Sequence, residues 1–236
     1  MQPEYSIIVP GLNEAENLKV LIPRLKHAFD ATGNSYEVLF VNNASTDNTD
    51  AVISSFMHEM PQLKLLSEPT RGYGRAVRKG LAASTGKYIG IIRSDNQEKP
   101  EDLVRMFALL ENNGADLYKA IRLHRMNEGL QRVVISFVFN TLFKLMFRLR
   151  SIDINASPKI FTRALYEEAR LESNDFFIDA ELVIKAEKLG RRVEQLGIEY
   201  YPRLEGKSTV RMKHIFEFLN NMNVWRKRVR AGRLFS

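Results

Sequence analysis

An α/β fold with a mainly parallel sheet, covered by helices on both faces, follows from three features of this sequence. Short apolar runs rich in β-branched residues recur at Tyr5–Pro10, Tyr36–Val41, Leu63–Leu66 and Tyr88–Ile92. Segments with helical periodicity separate them, and polar clusters follow the first, second and fourth runs. In such sheets ligands sit beyond the carboxyl ends of the strands, so those three clusters are expected to meet at one edge.

Taken in order, Tyr5–Pro10 reads as a buried strand ending at a proline. Asn13 is expected to cap the first helix, with Glu16 three residues later completing a capping box. Leu18, Leu21, Ile22 and Leu25 give that helix its apolar face, and Pro23 is a place for a kink or restart. Tyr36–Val41 forms the second strand, followed by the turn-rich Asn42-Asn43-Ala44-Ser45-Thr46-Asp47 and a helix from about Thr49. The third strand covers Leu63–Leu66 and the third helix Tyr73–Ala83. The fourth strand covers Tyr88–Ile92 and the fourth helix Glu101–Asn112.

The second half reads differently. Val133–Leu149 is strongly apolar, yet Arg132, Ser136, Asn140, Lys144 and Arg148 recur every four residues as one polar stripe. Lys144 argues against a spanning helix, which leaves an amphipathic helix at a membrane interface or a core or dimer contact. From Met212 to Val229, Ile215, Phe216, Leu219, Met222, Trp225 and Val229 share a helical face that ends in the basic run Arg226-Lys227-Arg228-Val229-Arg230. An anionic membrane surface suits this segment, and so does a capping helix with a solvated tail. The chain divides on this reading into a body of residues 1–210, including the interface helix 131–149, and a basic amphipathic tail of 211–236.

Charge and composition narrow the function. The net charge of +7 falls on residues 203–236, where nine Lys and Arg oppose two acids. That excess favours an anionic surface or phosphates, and nothing in residues 1–202 resembles a nucleic-acid module. The chain has no Cys, which excludes disulfides, thiolate metal sites and a Cys nucleophile. Its four His (His27, His58, His124, His214) are scattered, so no zinc site is expected. The short apolar run at Tyr5–Pro10 does not read as a signal peptide, and a cytoplasmic location is expected.

Four motifs in order carry a resemblance: Val9-Pro10-x-x-Asn13-Glu14-x-Glu16-Asn17, Ser45-Thr46-Asp47-x-Thr49, Arg71-Gly72-x-Gly74-x-Ala76, and Asp95-x-Gln97-x-x-Pro100-Glu101. Together they resemble family 2 glycosyltransferases of the GT-A fold (a Rossmann-like, mixed but mainly parallel sheet), closest to the dolichyl-phosphate mannose synthase branch of polyprenyl-phosphate glycosyltransferases. Arg122, Asp153-x-x-x-Ser157 and Arg203-x-x-Gly206-x-Ser208 extend the likeness over about residues 5–210.

The resemblance implies inverting transfer of a sugar from a nucleoside-diphosphate sugar to a polyprenyl phosphate at the cytosolic face of a membrane. It implies a donor site of Pro10, Asn13, Glu14, Asn42, Asn43, Arg71, Gly72, Arg93, Asp95, Arg203 and Lys207. Asp95 and Gln97, two apart at a strand end, would aim oxygens at Mg²⁺ or Mn²⁺, which stabilises the leaving diphosphate. An acceptor phosphate is already anionic and needs cations rather than a base, a role for Arg122 and Arg132, with Ser136 one turn on. A membrane subunit or a homo-oligomer is compatible with this reading. The sequence departs from the family at two places: Arg93 replaces the first acid of the usual Asp-x-Asp, and Asn42-Asn43 replaces an Asp-Asp pair. Two other readings stand beside it. A hydroxyl acceptor would need a base, for which Asp179 or Glu181 are candidates, and an idle relative would bind sugar nucleotide or lipid without turnover.

Overall fold

The computed structural model describes residues 2–123, 140–203 and 212–234. Among these residues, seven strands form one sheet: β1 (Tyr5–Gly11), β2 (Tyr36–Asn42), β3 (Leu63–Ser67), β4 (Tyr88–Ile91), β5 (Leu117–Leu123), β6 (Lys159–Thr162) and β7 (Val193–Glu199). Their order is β3-β2-β1-β4-β6-β5-β7. Only β6 runs antiparallel to its neighbours, so the sheet is mixed but mainly parallel, as expected.

Among the described residues, eight helical segments cover the sheet: α1 (Ala15–Asp30), α2 (Thr49–Met57), α3 (Tyr73–Ala83), α4 (Pro100–Asn113), α5 (residues 140–147), α6 (Arg163–Ala169), α7 (Ile178–Lys188) and α8 (Met212–Arg230). All seven residues of β1 and of β2 are buried, because apolar side chains leave both faces of these central strands. Ile7, Val9, Val38 and Phe40 point into a core with residues of α1, α2 and α4. Ile8, Leu39 and Val41 point into the opposite core with α3, α5, α7 and α8.

The N-terminal capping box does not form. Asn13 adopts a left-handed conformation (φ 57°), the residue before α1 is Glu14, and the Glu14 side chain does not cap the helix. The Asn13 carboxamide instead accepts from the backbone N–H of Thr46 at 2.7 Å, so this residue ties two loops together. α1 continues through Pro23 as one element.

The two amphipathic segments dock on the body with one face each. Phe143 and Phe147 of α5 are buried, as are Phe218, Met222 and Trp225 of α8, and Phe177 stacks on Trp225 and packs against Phe143 and Phe218. The other side of α5 exposes Leu142 at 55% and Leu145 at 71%. Residues 131–139 of the first segment lie outside the described residues. No described helix is long and apolar enough to cross a membrane.

The loop before α7 fixes the start of α3. A Cβ added to Gly74 would lie 2.5 Å from the Ser173 carbonyl oxygen and 2.7 Å from that of Asp175. Only a residue without a side chain lets these backbones meet. Gly74→Ala is therefore expected to lower the unfolding free energy by about 1–3 kcal/mol in urea titration. Unchanged stability would contradict this packing.

Candidate active site at the carboxyl edge of the sheet

Parallel alignment brings the ends of β1, β2, β4, β5 and β7 to one edge, and antiparallel β6 adds the residues that precede it. The loops after β1 and β2 interlock there. Ser45 and Thr49 hydroxyls accept from the backbone N–H groups of Asn13 and Glu14 at 2.9 and 3.2 Å, and Asp47 accepts from that of Ala15 at 3.3 Å. The Ser-Thr-Asp-x-Thr motif thus acts as a clamp on the loop that carries Glu14.

Asn42 and Asn43 are buried, and each carboxamide both donates and accepts. Asn42 donates to Asp50 at 2.6 Å and accepts from the N–H of Ser45 at 2.9 Å. Asn43 donates to the Thr70 carbonyl at 2.9 Å and accepts from the N–H of Gly72 at 2.8 Å. An aspartate could donate neither bond, and at position 42 it would face Asp50. The replacement of the usual acid pair is therefore built into the local structure. It also means that the Gly72 N–H is committed to Asn43, while Gly72 itself (φ 156°) and Gly74 make room for the 173–175 backbone. The Arg71-Gly72-x-Gly74 segment is a packing joint here, although it resembles a phosphate cradle in sequence. Arg71 is exposed at its rim.

Glu14 and Asp95 form the centre. The Arg203 guanidinium lies 2.6 Å from Glu14 and 3.4 Å from Asp95, bridging two buried carboxylates. Burial pushes the Glu14 carboxyl up, Arg203 and Asn17 pull it down, and Asp95 adds repulsion. Beneath them the Ser94 hydroxyl donates to the Pro10 carbonyl at 3.0 Å. A hard divalent cation fits this donor chemistry: two carboxylates already attract a positive group, and such ions commonly share the rest of their shell with diphosphate. Gln97 contributes less directly. Its side-chain amide donates to the Tyr201 backbone carbonyl at 3.1 Å, and the Gln97 backbone carbonyl accepts from the Tyr201 N–H at 3.0 Å. It fastens the segment that leads to Arg203.

A second, buried group of charges lies toward β5 and β6. Arg122 holds Asp153 through two side-chain bonds of 3.0 and 2.7 Å, and its guanidinium lies over the Tyr200 ring. Lys159 pairs with Asp179 at 2.8 Å and Lys185 with Glu181 at 2.8 Å, all four buried. Lys119 is buried and donates to the carbonyls of Ala120 and Ile152, and burial, reinforced by Lys159, pushes its amine down to about 7. Arg93 donates to the Tyr200 hydroxyl at 3.0 Å and to the Asn155 carbonyl at 2.9 Å. Arg132, Ser136 and Lys207 lie outside the described residues. Sequence reasoning missed the roles of Tyr200, Asn155, Glu98 and Lys119, which carry no motif.

Burial pushes the Glu98 carboxyl up to about 7, with Arg93 opposing and Asp95 adding repulsion. Because this raises its folded value above that of an ordinary glutamate, the associated stability is present at low pH and is lost as pH climbs toward about 7. The melting temperature of the wild type should fall more steeply between pH 4.5 and 7.5 than that of Glu98→Gln. Parallel pH profiles would contradict the assignment.

Known proteins share this architecture. Residues 6–172 match Glycosyl transferase family 2. An uncharacterized glycosyltransferase of Mycobacterium tuberculosis is 28% identical over 208 residues, 87% of this chain and 88% of that one. A dodecaprenyl-phosphate galacturonate synthase of Rhizobium johnstonii is 24% identical over 241 residues, 98% of this chain and 70% of that one. The crystal structure of M. tuberculosis glucosyl-3-phosphoglycerate synthase in complex with Mn²⁺, UDP and glucosyl-3-phosphoglycerate superposes with a TM-score of 0.66 at 17% identity, covering 98% of this chain and 80% of that one. With the family match spanning more than half of its length, this chain belongs to glycosyl transferase family 2 and is a sugar transferase of the GT-A fold.

Proposed function

We propose that this transferase moves a sugar from a nucleoside-diphosphate donor to the phosphate of a polyprenyl carrier, inverting the anomeric carbon. An acceptor phosphate oxygen forms the new bond to that carbon as its bond to the donor's β-phosphate oxygen breaks, and nucleoside diphosphate leaves. Asp95 and Glu14 would hold a divalent cation that offsets the charge growing on the leaving group. Arg203 would turn from these carboxylates to the diphosphate, joined by Lys207. The loops carrying Pro10, Asn13, Asn42 and Asn43 would frame the nucleotide.

The observation that carries the choice of acceptor is the condition of Asp179 and Glu181. A hydroxyl acceptor needs a base. Asp179 is tied to Lys159, and Glu181 to Lys185 and to the backbone N–H groups of Glu172 and Ser173, all in buried positions. Carboxylates so engaged support an acceptor that arrives already ionised. Arg122, with Arg132 and Ser136, would receive its phosphate. The Rhizobium relative's polyprenyl-phosphate product agrees with this reading. Exposed Leu142 and Leu145 on α5, and the basic run at the end of α8, support peripheral attachment to the cytosolic face of a membrane.

Purified protein incubated with UDP- and GDP-sugars, Mn²⁺ and undecaprenyl or dolichyl phosphate should release nucleoside diphosphate only when the lipid is present. Release with 3-phosphoglycerate and none with lipid would overturn the acceptor assignment. Asp95→Asn should reduce turnover by about 100-fold or more, because it removes charge from the site of the leaving group. Activity that survives both this change and a chelator would exclude the metal.

A further inference from the structure

The sheet separates charge as well as core. α3, α5, α7 and α8 pack against one side of it, and α1, α2 and α4 against the other. The three helices of the second layer carry six acids against four Lys or Arg. α3 has the opposite character. Its inner side buries Ala76, Val77 and Leu81, and its outer side exposes Arg75, Arg78 and Lys79, with Arg71 just before its first turn. The sequence holds no Asp or Glu between Glu68 and Asp95. Among the described residues no carboxylate pairs with Arg71, Arg75 or Lys79, so this face keeps its charge. Arg75, Arg78 and Lys79 have no part in the transfer chemistry described above.

The face does not stand alone. Arg78 donates to the Glu172 carbonyl at 3.1 Å and to the Asn174 carboxamide oxygen at 2.8 Å, and Arg228 of α8 pairs with the Glu172 side chain. α3 and the basic end of α8 thus meet at one residue, and the acid between them is neutralised. α8 in turn meets α5 through Phe218 and Phe143, whose ring centroids are 6.1 Å apart, and the residues next to these two, Leu219 and Leu142, are exposed. Cations spread over a layer that also exposes leucines match a lipid interface, which accepts both, whereas a nucleic acid would meet the cations alone. Resting on the peripheral attachment read from α5 and α8, we propose that the outer side of α3 completes that surface as a docking face for a bilayer containing anionic phospholipid. Arg71 lies at the rim of the candidate site, so this face sets the carboxyl edge of the sheet beside the headgroups. A lipid-borne acceptor phosphate then reaches the site without leaving the interface.

Vesicle sedimentation tests this, with phosphatidylcholine alone and with about one-third phosphatidylglycerol. Wild type should bind the anionic vesicles and come off as salt is raised. Arg75→Gln/Lys79→Gln should weaken that binding about 10- to 30-fold, while Lys19→Gln/Lys26→Gln, which removes the same charge from α1, should leave it within about 2-fold. Because the chain has no Cys, a spin label on Ala82→Cys, on the outer side of α3, reports this face alone. Vesicles should shield that label from a water-soluble relaxation agent and should leave a label on Ala51→Cys of α2 accessible. Equal weakening by the α1 and α3 pairs means that net charge is read and not this face, which overturns the proposal. An Ala82→Cys label that stays accessible while the protein is vesicle-bound overturns it too. Both of these results leave attachment through α5 and α8 intact. Wild type that ignores anionic vesicles overturns the attachment reading as well, and binding of single-stranded RNA without binding of vesicles overturns the bilayer as occupant.

Discussion

The site depends on one ion bridge. Glu14 rises from the loop after β1, Asp95 from the loop after β4, and Arg203 from the segment after β7, the edge strand at the far end of the sheet. Two buried carboxylates this close would repel each other and draw protons without a cation between them. Arg203 supplies it, and in doing so connects residues 189 positions apart in sequence. The bridge is a contact between charges that a stronger cation or a diphosphate can replace. It therefore joins the stability of the edge to the chemistry proposed there.

Around this bridge the loops are made stiff by side chains that bond to backbone. Asn13, Ser45, Thr49 and Asp47 lock the first two loops together, and Asn43 spans from the second loop to Thr70 and Gly72. Loops positioned by a rigid scaffold keep binding groups in place without the cost of ordering them at each encounter. The loop of residues 172–175 extends the same construction. It lies against Gly72 and Gly74, and Asp175 accepts from Asn221 of α8 at 2.6 Å. The C-terminal helix thus reaches the donor edge through one intervening loop.

Much of the first half was legible in the sequence. Buried parallel strands are continuous apolar runs, so β1 to β4 and the helices between them stand out, and the polar clusters meet at one edge because parallel strands must end there together. The second half hid its strands. β5 carries Lys119 and Arg122, β6 begins with Lys159, and β7 contains two glutamates, so none shows an uninterrupted apolar run. The buried charges Lys119, Arg122 and Lys159 are tolerated because each finds carbonyls or a counter-ion, a pairing that spacing along the chain does not reveal. The capping box failed for a related reason: Asn13 and Glu14 have long-range partners in residues 46 and 203, which compete with local capping. Arg93 and Asn42-Asn43 stood out in the sequence only as departures from a family pattern. Their partners, Asp50 and Thr70 for the asparagines and Tyr200 and Asn155 for the arginine, show how each departure is accommodated.

The most direct test of the bridge as the donor's metal site is anomalous diffraction from crystals grown with Mn²⁺ and the nucleoside diphosphate that binds. Manganese should coordinate the Asp95 carboxylate, with the Arg203 guanidinium moved from Asp95 to the diphosphate. Manganese at another place, with Arg203 still bridging Glu14 and Asp95, would contradict the account.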